Sequence, residues 1–352
     1  MRAGIAGGGV AGQLLALALS DAGWQVSLFD HGRENSCSMA AAGLLAPTEE
    51  SIKSDAIVFQ MGMESIHQHW PGIVERLPKE ILFQKTGSLL VAHPQDEIEL
   101  TQFIRRVSAT LGNQLNHKKL DQEAIKTLEP GLEKFHHGYY FKDEGFIDNQ
   151  TLLLVLSTYL ENKITWHENK FVNHIEPHKI FIGDDTHVFD MVFDCRGLGA
   201  KSTFNALRGM RGEVVWLQAP DVHITRPVRI LHPRYSVYIA PRANHTYVVG
   251  ATEIESEKKD AISVRGMLEL LTAVFYLHPG FSEARIVKTV TQCRPVLPDN
   301  LPSIKYTEGF LAVNGLYRNG FLLAPTLVAD MVSWVQKGMS QVRYPDIWKS
   351  YT

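Results

Sequence analysis

The first thirty residues constrain the fold more than any others. Residues 2–6 read as a short apolar strand, and Gly7-x-Gly9-x-x-Gly12 follows at once. Residues 13–22 read as a helix with Leu14, Leu15, Ala18 and Leu19 on one side, and Gly23 ends it. Residues 24–29 are a second strand, closed by Asp30. Each part has a role in a βαβ dinucleotide site. Gly7 allows the tight turn, Gly9 lets a pyrophosphate approach the backbone, and Gly12 lets helix and strand pack closely. The helix N-terminus offers free N–H groups and a partial positive charge to phosphates. Asp30 can accept hydrogen bonds from ribose hydroxyls, which favours a diol over a 2′-phosphate. The pattern does not choose between NAD and FAD.

The rest of the chain is large enough to give such a site a partner domain. Its 352 residues predict two domains or one large one, and 45% hydrophobic with 21% charged residues excludes a mainly disordered chain. A net charge of -3 gives no bulk attraction to nucleic acid. Cys37, Cys195 and Cys293 are far apart and form no disulfide framework, which predicts a reducing compartment. With no recognisable signal peptide and no window long enough to span a membrane, the expected location is cytoplasmic. The 15 histidines show no metal-ligand spacing, so no metal is expected.

Residues 36–47 are small, with Ser38, Ala42 and Gly43 among them. Such a stretch permits close approach to a flat ligand, and an ordinary Gly/Ala loop has the same composition. Residues 48–77 have mixed helical periodicity, broken by Pro71 and Pro78. Asp148 precedes an apolar helix over 152–160 and is read as its N-cap rather than as a catalytic acid. Residues 171–175 and 188–195 read as strands, the second running into Gly197-x-Gly199. Residues 234–242 and 246–253 alternate as an antiparallel pair joined by Asn244-His245. A helix over 264–276, a strand over 285–292, and a strand and turn over 310–315 follow. A long helix runs from Gly320 to about residue 336, with Pro325 placed in its first turn.

Several of these segments together resemble one family. Ser38 to Pro47, Leu128-Glu129-Pro130, Asp194-Cys195-Arg196-Gly197, Arg294-Pro295 through Asp299, and Tyr317 through Pro325 are similar to segments of glycine oxidases. These belong to the D-amino-acid-oxidase-like FAD enzymes, and the resemblance is to the bacterial branch of thiamine biosynthesis. It implies non-covalent FAD. In the family the small-residue segment runs beside the flavin, and the backbone at Val172 touches the adenine. The final helix, entered through Gly315 and Gly320 and starting with Phe321 and Leu322, points at the flavin pyrimidine edge. Arg294 matches the arginine that clamps the substrate carboxylate. Tyr238 matches a hydroxyl donor to the same group, and Arg318 matches a second site arginine. Leu316 stands where a histidine is common, and Glu253 where some members carry methionine. Cys293, beside Arg294, is read as an inert buried thiol rather than a covalent flavin link.

The expected fold is therefore α/β plus α+β: a Rossmann-like FAD domain joined to a mainly antiparallel-sheet substrate domain. Residues 1–85, 145–205 and 295–352 are assigned to the first, and 86–144 and 206–294 to the second. The resemblance implies oxidation of glycine or another small amine acid by FAD and dioxygen, with no side-chain base. It also implies thiazole synthase as a partner for the imine, and a homo-oligomer. The alternatives are oxidation of sarcosine or D-amino acids, a flavin domain of tRNA modification, and an NAD-dependent dehydrogenase or non-catalytic nucleotide-binding module.

Overall fold

A computed structural model describes residues 1–351. Strand Arg2–Ala6 is buried from Ala3 onward, as a central strand covered on both faces must be. It pairs in parallel with Gln25–Phe29 on one side and Met191–Asp194 on the other. The seven-stranded sheet runs Trp348–Ser350, Ser303–Thr307, Phe310–Asn314, Met191–Asp194, Arg2–Ala6, Gln25–Phe29, Thr165–His167. Only the Ser303–Thr307/Phe310–Asn314 pair is antiparallel. Helices Val10–Asp21, Asn149–Glu161 and Gly320–Lys337 pack on it through Leu15, Leu152 and Leu323, all fully buried.

A second sheet has eight strands in the order Arg285–Val296, Arg208–Gln218, Thr246–Gly250, Tyr235–Arg242, Val228–His232, Ser88–Ala92, His137–Phe141, Lys118–Asp121. All its pairs are antiparallel except Val228–His232 with Ser88–Ala92. The expected combination of a Rossmann-like unit with a mainly antiparallel sheet is thus what the chain forms. Tyr235–Arg242 and Thr246–Gly250 are joined through Asn244 and His245, both left-handed at φ 57° and 52°, a conformation in which these residue types are enriched.

Several local expectations need correction. The first helix begins at Val10, not residue 13, because Gly9 is its N-cap and Gly12 lies inside it. A Cβ at Gly12 would stand 1.9 Å from the Gly7 carbonyl oxygen, so only glycine lets helix and strand approach this closely. The small-residue segment is not all loop: Cys37–Ala40 is a helical turn capped by Ser36. Val172 lies before the strand His174–Glu176 rather than within one. The strand expected over 188–195 is divided between Asp185–Val188 and Met191–Asp194. Pro71 does not break its helix. It sits in the first turn of Trp70–Glu75, directly after the π turn Ser65–His69, and a first-turn position tolerates the missing donor.

Pro325 lies inside Gly320–Lys337, not in its first turn. Proline cannot donate to the carbonyl four residues earlier, which is that of Phe321. The indole N–H of Trp70 donates to that oxygen at 2.9 Å instead, and Trp70 is fully buried. Asp148 is the N-cap it was read as: its carboxylate accepts from the Thr151 N–H at 3.2 Å. No helix among the described residues is long and apolar enough to cross a membrane.

Candidate active site

The carboxyl ends of four parallel strands open into one cleft of about 420 Å³. Gly7 follows Arg2–Ala6, Asp30 follows Gln25–Phe29, Cys195 follows Met191–Asp194, and Asn314 ends Phe310–Asn314; all four residues line it. From the first strand the chain reaches Gln25–Phe29 on one side of the sheet and later Met191–Asp194 on the other, so the cleft sits at a topological switch point, where ligands of open α/β sheets bind.

At one end the cleft suits a dinucleotide. Gly9 caps the first helix without a side-chain hydrogen bond. The Val10 N–H donates to Ser38 Oγ at 3.0 Å, while those of Ala11 and Gly12 have no partner among the described residues. Gly7 is left-handed (φ 106°), and a Cβ there would stand 2.4 Å from the Cys195 carbonyl oxygen. A Cβ at Gly8 would stand 2.6 Å from Asp30 Cγ, so the glycine run clears the space beside this carboxylate. Asp30 is buried, and its Oδ2 has no partner. Burial pushes the Asp30 carboxyl above the usual carboxylate range, against the Gly8 N–H, which favours the ionised form. A buried acceptor without a donor costs roughly 1–3 kcal/mol, and a ribose diol would supply the donor.

Arg196 braces the far wall. Its Nε and Nη2 hold Asp194 at 2.9 and 2.8 Å, and Nη1 donates to the Val172 carbonyl at 3.1 Å. The Val172 N–H makes no hydrogen bond to the described residues. Asn314 Nδ2 donates to the Gly197 carbonyl at 2.8 Å and ties two glycine turns together. The orphaned Asp30 oxygen, the glycine cradle and the free helix N–H groups fit FAD. Cys293 is buried, and its thiol is directed at the Ser256 and Lys258 carbonyls, consistent with an inert thiol.

The other end carries the charged side chains. Arg294 lies on Arg285–Val296, which extends past the expected end at residue 292. Its guanidinium lies over Gly212, where a Cβ would stand 2.4 Å from Nη2. Its one hydrogen bond is to the Thr252 carbonyl, 3.1 Å, and no carboxylate among the described residues pairs with it. Tyr238 projects across Gly250, and its hydroxyl makes no hydrogen bond to the described residues. Burial pushes its phenol up, against Arg294 and Arg318.

Arg318 also lines the cleft but is heavily paired. Tyr317 before it is left-handed (φ 49°), strained for a bulky residue and held by its N–H on the Pro295 carbonyl at 3.0 Å. The Arg318 guanidinium meets Glu50 at 3.2 Å, Glu49 at 3.8 Å, and Glu253. Lys53 holds Glu253 from the other side at 2.8 Å. Burial disfavours the ionised Glu253, yet Arg318 and Lys53 hold its pKa down to about 2.

Of the sequence-predicted site residues, Gly7, Gly9, Asp30, Ser38, Val172, Gly197, Gly199, Tyr238, Arg294, Arg318, Gly320 and Phe321 line the cleft together. Ala42, Gly43 and Leu322 line a small adjoining cavity with Glu50. Gly12 and Gly315 line neither and act through backbone packing; Gly315 is left-handed at φ 75°. Sequence reasoning missed Glu49, Glu50 and Gly212, and considered Arg242, beside Tyr238, without assigning it to the site. Arg242 is buried, bonds the Ala42 carbonyl at 2.6 Å, and lies over the Phe146 and Trp216 rings, so it fixes the small-residue segment from behind. The one signal available was the acid pair Glu49-Glu50, directly after the small-residue segment.

Comparison with known proteins agrees with this geometry. The sequence profile of the DAO family, FAD dependent oxidoreductase, matches residues 2–333. The putative thiamine biosynthesis oxidoreductase ThiO of Rhizobium etli is 34% identical over 339 residues, 94% of this chain and 95% of that protein. The bifunctional protein ThiO/ThiG of Nostoc is 25% identical across 93% of this chain, which spans 52% of that longer protein. The crystal structure of glycine oxidase from Geobacillus kaustophilus superposes with a TM-score of 0.86 at 22% identity, covering 100% of this chain and 98% of that one.

Proposed function

The chain belongs to the DAO family of FAD dependent oxidoreductases, and from that premise we propose that it oxidises glycine or another small amino acid to its imine. The observation that carries this reading is Arg294: a cleft guanidinium with no carboxylate partner, beside an unpartnered Tyr238 hydroxyl. A planar guanidinium binds a carboxylate bidentately, and a phenol adds one donor. Arg294 and Tyr238 then fix the substrate carboxylate, and the missing side chain at Gly212 leaves room for the guanidinium. FAD held non-covalently by the glycine turns, Asp30 and the first helix N-terminus would supply the hydride acceptor and, on reoxidation, the electrons that reduce dioxygen to hydrogen peroxide. Much of the rate comes from holding the neutral amine in one pose, so no side-chain base is assigned. Released imine hydrolyses to the oxo acid and ammonia.

The division of labour follows the two sheets. Residues 1–85, 145–205 and 295–352 hold FAD, and 86–144 and 206–294 form the substrate wall. The ThiO names of the relatives support a role in supplying the imine to thiamine thiazole synthesis, and the bifunctional relative supports thiazole synthase as its recipient. The test is peroxide release from glycine, sarcosine and D-amino acids by the FAD-loaded protein. Turnover of glycine supports the reading. Turnover of sarcosine or D-amino acids alone replaces glycine as substrate, and no turnover of any removes the oxidase assignment.

A further inference from the structure

We propose that the charged end of this cleft accepts a single carboxylate, at Arg294, because Glu253 masks Arg318, the other arginine at that end, and thereby excludes dicarboxylic substrates. The inference rests on the amino acid reading above and narrows its substrate class.

The two arginines differ in what surrounds them. Arg294 gives one hydrogen bond to a carbonyl. Arg318 has each guanidinium nitrogen turned to a different carboxylate: Nε to Glu50, Nη2 to Glu49, Nη1 to Glu253. Its positive charge is already matched by carboxylates on three sides, so an anion arriving here either displaces one of them or faces repulsion from all three. Glu49 and Glu50 are buried on the helix Pro47–Lys53, and Arg229 holds Glu49 at 2.6 Å. Glu253 is different. Its side chain is 35% exposed, and it lies beyond the end of strand Thr246–Gly250. It is the one masking carboxylate that can be removed without opening a buried hole. Lys53 keeps it in place.

The experiment uses the FAD-loaded protein and its Glu253→Met variant, with Glu253→Gln as the substitute should the Met variant lose flavin. D-Asparagine and D-aspartate match in size and differ by one charge, so the ratio of their kcat/KM isolates charge. Acetate and malonate, bound at equilibrium and read by the flavin spectrum or calorimetry, repeat the comparison without turnover. The wild type is expected to prefer D-asparagine over D-aspartate, and acetate over malonate, by about tenfold or more, the scale of one charged contact. The variant is expected to shrink both ratios by about tenfold. Unchanged ratios in the variant, or a wild type indifferent to the second charge, overturn the mask. If no amino acid is oxidised, the amino acid reading falls, and the acetate and malonate ratio still decides the mask.

Discussion

Arg294 and Gly212 act as one unit. Arg294→Ala removes a bidentate, charge-assisted pair and should raise the KM for glycine by about a hundredfold, with FAD still bound. An unchanged KM contradicts the clamp. Gly212→Ala places a methyl 2.4 Å from Arg294 Nη2 and should also raise KM, while the fold survives because the guanidinium can move. The motif around Arg294 was legible because its neighbours are contiguous. Gly212 was not, since its partner lies on another strand and only the register Met210↔Arg294 brings them together. The Glu49, Glu50, Glu253 and Arg318 cluster was hidden for the same reason: three distant segments meet there. Glu253 also carries a pH signature. Its pKa of about 2 lies below its ordinary 4.5, so the stability it contributes is present above about 4.5 and is lost as pH falls toward 2. The stability difference between the wild type and Glu253→Gln, measured by urea unfolding, should therefore shrink from pH 7 to pH 3. A difference that stays constant assigns the effect to packing instead.

Among the elements, the helix Gly320–Lys337 shows why some boundaries escaped the sequence. Its length was legible from periodicity, but the consequence of Pro325 was not. A mid-helix proline leaves a carbonyl orphaned, and the donor comes from Trp70, far away in the chain. Trp70→Phe should cost at least about 1–3 kcal/mol, the scale of a buried unpaired carbonyl. Pro325→Ala restores a local N–H for Phe321, so in the double variant the loss should be smaller than the sum of the two single effects. Additive effects in denaturant unfolding would show that the indole bond carries no stability of its own. The start of the first helix was misplaced for a related reason. Glycine-rich sequence reads as loop, whereas Gly12 is helical here because a side chain would meet the Gly7 carbonyl.

For the whole molecule, the two sheets draw on strands scattered along the chain, and part of each was visible as a sequence pattern, while Thr165–His167, Ser303–Thr307, Trp348–Ser350, Lys118–Asp121, His137–Phe141 and Val228–His232 were not read. The parallel sheet announced itself through apolar strands ending in glycine, and the antiparallel one through alternation. What sequence could not give is how they face each other: Arg294 and Tyr238 come from the second sheet and meet the glycine turns of the first across one cleft. FAD binding should tie this arrangement together and raise the thermal midpoint by mass action. Asp30→Ala should hold FAD about tenfold or more weakly and give a smaller thermal shift; an equal shift would remove Asp30 from the ribose site.

The central claim is that Arg294 presents a glycine-sized amino acid to bound FAD. It is tested most directly by mixing the FAD-loaded protein with glycine without oxygen, then admitting air. The yellow flavin absorbance should be lost on mixing and return with air, with one peroxide and one ammonia formed per glycine consumed. A flavin that stays yellow in saturating glycine, while still bound, would contradict it.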